Sequence, residues 1–127
     1  MKNLFLALMG FAILISCGND DNANNCLSYS EAYVDSVEPI ENADAAGFLY
    51  KVKFIVTNGC GGFGSFDEII GDSTTVKVIA KYEGCVCTEA LEIKEAVYNF
   101  NPTAPGTYTL RFRTSEDTFI TETVTVE

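Results

Sequence analysis

The chain of 127 residues has no histidine and no tryptophan. Without imidazole, Ser-His-Asp and Cys-His catalysis as usually built are excluded. Both methionines, Met1 and Met9, lie near the start, so a soft-metal site elsewhere would have only cysteines to draw on. Basic residues are scarce, 8 Lys and Arg against 18 Asp and Glu, for a formal charge of −10. Phosphate-backbone recognition needs clustered Lys and Arg, so nucleic acid is excluded as a partner, as is electrostatic attachment to an anionic membrane surface. The negative charge reads as a solubility device. No internal repeat of solenoid period is visible. The longest apolar run, residues 4–15, is shorter than the ~20 residues a bilayer span requires.

That run has a different use. It follows a single basic residue, Lys2, and ends in Leu14-Ile15-Ser16-Cys17. A positive start, a short apolar stretch and a small residue at the cut site form the layout of a secretory signal. Leu14-Ile15-Ser16-Cys17 resembles the lipobox of bacterial lipoproteins. The resemblance implies cleavage between Ser16 and Cys17 and acylation of the Cys17 thiol. It also implies several acyl chains (palmitate-type), because one chain alone binds membranes only marginally. The segments are then a signal peptide at 1–16, a lipidated Cys17 with a polar tether at 17–25, and one domain at 26–127. Residues 18–25 have no large apolar side chain and cannot offset their ordering entropy by burial. About 100 residues remain, enough for one core. Losing Lys2 takes the basic count from 8 to 7 and the formal charge from −10 to −11.

With Cys17 assigned to lipid, four cysteines are left: Cys26, Cys60, Cys85 and Cys87. An even number in a small exported domain reads as two disulfides. Cys85 and Cys87 would share one face of a strand, and bridging them directly would strain the geometry. Cys26 and Cys60 therefore each pair with one of them. Two connectivities remain open, and Cys60–Cys87 with Cys26–Cys85 is the favoured one. Thiolate metal binding at Cys85-Val86-Cys87 is disfavoured in a compartment that oxidises thiols.

Period-two alternation marks the strands. Tyr50, Val52, Phe54 and Val56 form one inward row, Val76, Val78, Ala80 and Tyr82 a second, and Tyr108, Leu110 and Phe112 a third. A last strand spans about 118–126, where Glu122 interrupts the apolar face and predicts an edge or a bulge. Weaker strands fall at 31–38 and 91–100. The latter switches parity, which predicts a bulge, a split into two, or a helical turn around 89–96. Turns fall at the glycine-rich stretch 58–64, at 71–73, 83–84, 102–106 and 115–117. Six to eight short strands in this length predict an all-β, antiparallel, disulfide-stapled sandwich of about seven strands.

Pro105-Gly106-Thr107-Tyr108-Thr109-Leu110-Arg111-Phe112 resembles the penultimate strand of immunoglobulin-like domains in bacterial surface proteins. The resemblance implies that the Tyr108 hydroxyl bonds back to the backbone at a corner, and that Leu110 fills the core position often held by Cys. The usual cysteine and tryptophan of that core are absent. The whole chain is also similar to small Bacteroidetes-type lipoproteins. Asp20-Asp21 are similar to the surface-export signal of such proteins. This implies an outer-membrane location, with the cell surface favoured over the periplasmic face.

No cofactor signature, metal-ligating set or catalytic residue is readable. Asp67 with Glu68, and Glu89, Glu92 and Glu95, are carboxylates that could in principle hydrolyse glycosides. They read instead as solvated edges and turns. Asp67, Glu68 and Asp72 supply hard oxygens but do not match an EF-hand. The glycine-rich stretch lacks the Gly-Lys-Ser/Thr of a P-loop, and reads as a disulfide-pinned loop whose glycines allow positive φ. Phe63 and Phe66, within residues 59–66, are the candidate binding loop. A sugar-stacking platform would rely on Phe63, Phe66, Tyr82 or Tyr98. The expected function is a lipid-anchored, non-enzymatic module binding a protein or glycan. A structural accessory subunit of an envelope complex, or a small carboxylate hydrolase, are the alternatives.

Overall fold

In the computed structural model, residues 26–41 and 47–127 are described, and they form strands without a helix among them. The expectations for the signal peptide, Cys17 and the tether lie outside the described residues. The strands are β1 (Leu27–Ala32), β2 (Val34–Ile40), β3 (Phe48–Val56), β4 (Gly61–Ile70), β5 (Thr74–Glu83), β6 (Glu92–Phe100), β7 (Gly106–Arg113) and β8 (Phe119–Val126). One sheet holds β1, β4, β5, β7 and β8, and the other runs β2-β3-β6. The two inner faces close over Val52, Phe54, Val56, Val76, Val78, Ala80, Leu110 and Phe112, all without solvent exposure. Burying each of the larger aliphatic and aromatic side chains fully contributes ~1.5–3 kcal/mol.

The two-sheet sandwich is the one the alternation predicts, with eight strands rather than about seven. The weak strand at 31–38 is really two. β1 pairs with β5 and β2 with β3, so the chain changes sheets at Tyr33, whose carbonyl accepts a bond from the Ile55 amide at 3.1 Å. β2 is an edge, which tolerates Pro39 because no ladder donor is needed there.

β4 is the second addition. Its start, expected to be a loop, pairs with β5 from Gly61 opposite Tyr82 to Ile70 opposite Thr74. The glycines conceal the alternation, and close approach explains them better than positive φ. A Cβ on Gly61 would lie 2.6 Å from Val56, and one on Gly64 would lie 2.7 Å from the Ile79 carbonyl oxygen. Left-handed backbone occurs instead at Gly47, Gly84 and Gly106. The register shift between Phe63 and Ser65 is a bulge at Gly64. It keeps Phe63 and Phe66, three residues apart, on the same inward face.

One pairing departs from the antiparallel expectation. β7 runs parallel to β5 over Thr74–Val76, matched to Leu110–Phe112. β1 takes up the other half of that β5 edge, from Val78 to Glu83. Arg113 Nε reaches Glu31 Oε2 at 3.0 Å and joins the two strands where they abut.

β6 is a single strand in unbroken register with β3, without a bulge or a helical turn. Its inward parity is set by Tyr98, opposite Tyr50, and by Phe100, opposite Phe48. Leu91 lies before it, and Ile93 and Val97 face outward. The inward positions at its open end are Glu92 and Lys94, paired with each other at 3.1 Å. On β8 the register is also unbroken. Glu122 faces inward opposite Leu110 on an edge, so the edge expectation holds and the bulge does not. Inward charges on edge strands discourage strand addition by a second chain.

Candidate functional site

The four cysteines gather at one end of the sandwich. Cys26 bonds Cys85 with Cα atoms 5.0 Å apart, and Cys60 bonds Cys87 with Cα atoms 5.4 Å apart. Backbone bonds lock the same corner. The Gly84 amide donates to the Cys26 carbonyl at 2.9 Å, the Glu83 amide to the Cys60 carbonyl at 3.2 Å, and the Gly59 amide to the Thr88 carbonyl at 2.9 Å. A Cβ on Gly84, whose φ is +129°, would meet Cys60 Sγ at 2.8 Å. With both pairs closed, the thiols at Cys85-Val86-Cys87 are occupied by bonds within the chain.

Phe63 and Phe66 are not on a loop tip. They lie on β4 and face the core, in a ring series that runs Phe54, Phe63, Phe66, Tyr98, Phe112, Tyr50, with centroids 4.8 to 6.0 Å apart. Phe66 meets the ring of Tyr98 on β6 edge-on at 5.1 Å. Phe63 keeps 40% of its surface at the rim. Tyr98 is only 3% exposed and cannot offer a ring face to a ligand. The Tyr82 hydroxyl is engaged, accepting from the Thr57 amide at 3.1 Å.

The carboxylates also separate. Asp67 and Glu68 leave β4 by opposite faces, Asp67 across from Lys77 and Glu68 toward the interior. They do not form one ligand set with Asp72. Among the described residues no three acidic or cysteine side chains converge on a common point. Glu68 instead accepts a hydrogen bond from the Tyr98 hydroxyl. Burial, reinforced by the Glu68 carboxylate, pushes the Tyr98 phenol well above its ordinary range. Burial also raises Tyr50, with Glu122 adding to it. A phenol whose pKa is raised on folding contributes stability that is intact below the unfolded pKa of 10.0 and is lost as pH climbs above it. Stability should therefore hold to about pH 10 and fall beyond it. Tyr98→Phe should cost about 1 kcal/mol at neutral pH and flatten the alkaline decline. Urea melts on either side of pH 10 check both, and an unchanged slope would contradict the assignment.

The opposite end of the sandwich carries an open cleft of about 510 Å³. The β4–β5 turn at 71–73 forms one wall, and the β6–β7 loop at 101–104 forms the other. Asp72, Asn99, Asn101, Thr103 and Thr109 line it, with Phe100 and Tyr108 beside them, and among the described residues no Lys or Arg takes part. The loop is held in place. The Tyr108 hydroxyl donates to the Ala104 carbonyl at 2.6 Å, and its ring meets Phe100 edge-on at 5.3 Å. Across the hairpin, the Gly71 amide donates to the Ser73 carbonyl at 3.1 Å. Leu110 is fully buried. The corner implied by the residues around Tyr108 is therefore present, and it shapes a cleft that local sequence reading missed. The available signal was the crowding of Asn, Thr and Pro at 99–105.

β5 separates the two ends. Thr74, at its start, lines the cleft, and Glu83, at its close, pairs with Leu27 next to Cys26. Ten extended residues put them roughly 30 Å apart.

A family model, the ORF11 beta-sandwich domain, matches residues 50–126. The chain belongs to the ORF11 beta-sandwich family. The match takes in the Cys60–Cys87 staple and both cleft walls, and begins after β1, β2 and Cys26. Comparison with curated proteins and with solved structures gave no match for this ORF11 domain.

Proposed function

We propose that this ORF11 domain is a non-enzymatic binding module, held by lipid on Cys17 to a bacterial outer membrane and displayed at the cell surface. The observation that carries this reading is the polarity of the fold. The chain joins the domain at Cys26, in the disulfide-locked end, and the pinned cleft lies roughly 30 Å away at the other. A domain tethered through Cys26 by residues 18–25 presents its cleft away from the membrane. The Leu14-Ile15-Ser16-Cys17 pattern supports the anchor, and Asp20-Asp21 support the outward face.

Docking as an accessory subunit is the second reading, favoured by Ile93 and Val97, exposed on the outer face of β6. Charge breaks that face up. Lys51 stands across from Val97, and Lys53 stands across from Glu95 between the two apolar positions. A continuous apolar patch is what an obligate interface would need, so the binding module is preferred.

Membrane fractionation tests the anchor. The full chain should sediment with outer membranes and enter the detergent phase on Triton X-114 separation, and Cys17→Ser should abolish both. A Cys17→Ser protein that stays with the membrane would overturn the lipid assignment.

A further inference from the structure

We propose that the cleft between the β4–β5 turn and the β6–β7 loop is a binding site for a neutral saccharide. This deepens the binding-module reading and rests on it. The chemistry of the walls is specific. The amides of Asn99 and Asn101 each offer donors and an acceptor, and the Thr103 and Thr109 hydroxyls offer both. Sugar hydroxyls are themselves mixed donors and acceptors, so such a lining satisfies them without a net charge. The aromatic pair Phe100 and Tyr108 supplies an apolar flank for the C–H faces of a pyranose. A volume of about 510 Å³ falls within the ~300–1,000 Å³ of small-ligand sites.

Charge narrows the class. Among the described residues no cation lines the cleft, so none of them compensates a sialic acid, a uronate or a sulfate. Among the described residues two carboxylates border it, Glu68 and Asp72, and both repel anionic sugars. Glu68 is already engaged by Tyr98, which leaves Asp72 as an acceptor for a sugar hydroxyl. Order is built in. Tyr108 ties down Ala104, Pro102 and Pro105 fix the loop's φ angles, and the hairpin closes on Gly71 and Ser73. A site that is rigid before binding loses less entropy when it is filled. Placement at the end away from Cys26 gives a polymer free access.

The test uses the full chain in a sugar-free detergent such as lauryldimethylamine oxide. The probes are neutral tetrasaccharides of glucose, mannose, galactose and N-acetylglucosamine, their sialylated or sulfated counterparts, and tetralysine, all titrated by calorimetry. At least one neutral tetrasaccharide should bind, and better than its anionic counterpart. Asn101→Ala and Thr103→Ala, both on the exposed loop, should each weaken that binding about 2- to 10-fold. Val86→Ala, at the disulfide end, should leave it unchanged. Three results would overturn the proposal: no neutral probe binds, binding ignores both loop variants, or tetralysine binds in place of the sugars. None of these touches the Cys17→Ser fractionation, so the saccharide assignment and the anchored-module reading fail separately.

Discussion

Phe112→Ala is expected to lower the unfolding free energy by about 3–5 kcal/mol. Phe112 is wholly buried on β7 and meets the rings of Tyr50 at 5.8 Å and Tyr98 at 5.6 Å. It lies under the cross-strand pair that joins β3 to β6, and next to the short parallel contact with Val76 of β5. Truncation removes the transfer energy of the ring and leaves a cavity walled by stiff β-sheet, which collapses poorly. A domain of this size holds about 5–15 kcal/mol in total, so the variant should sit close to the folding threshold. The thermal midpoint should drop by more than about 10 °C. Melts followed by circular dichroism, with the disulfides intact, measure it. A loss under about 1 kcal/mol would mean that the two sheets do not close over this ring.

The cysteines give the second large effect, and one that reads the connectivity. Removing Cys60 and Cys87 together opens a loop with a sequence separation of 27, a cost of about 3–4 kcal/mol. Removing Cys26 and Cys85 opens one with a separation of 59, a cost of about 4 kcal/mol by the same chain-entropy relation. Each of these matched serine pairs leaves the other bridge closed, so with Cys17 acylated no free thiol should titrate. The mismatched pair, Cys26→Ser with Cys87→Ser, breaks both bridges. It should expose two thiols, Cys60 and Cys85, and destabilise more than either matched pair. If the mismatched variant instead shows no free thiol, Cys60 has bonded Cys85 and the pairing described for this end is wrong.

How much of this was readable in the chain follows from the range of the interactions. The inward rows on β3, β5 and β7 depend on nearest-neighbour alternation, and all three stand as the pattern predicts. Tyr108 is similarly local, since its hydroxyl bonds only four residues back. What escaped is non-local. β4 looks like a loop because Gly61 and Gly64 serve Val56 and Ile79, contacts no window of sequence displays. The parity of β6 is ambiguous between Ile93 and Tyr98 until Tyr50 stands opposite Tyr98. The parallel run of β7 along β5 depends on β1 having filled half of the same edge. Phe63 and Phe66 are a strong aromatic signal, yet the bulge at Gly64 turns both toward the core. The cleft joins residue 72 to residues 99–109, so its composition existed only as two unrelated polar turns before folding.

The central claim is an anchored module that faces out of the cell. Val126 pairs with Gly106 at the cleft end, so a tag placed after Glu127 marks the end that the proposed anchoring would point away from the membrane. The decisive measurement is antibody binding to that tag on intact cells, before and after the outer membrane is permeabilised. The account predicts full labelling of intact cells, abolished in Cys17→Ser. Labelling that requires permeabilisation would contradict it and place the domain on the periplasmic side.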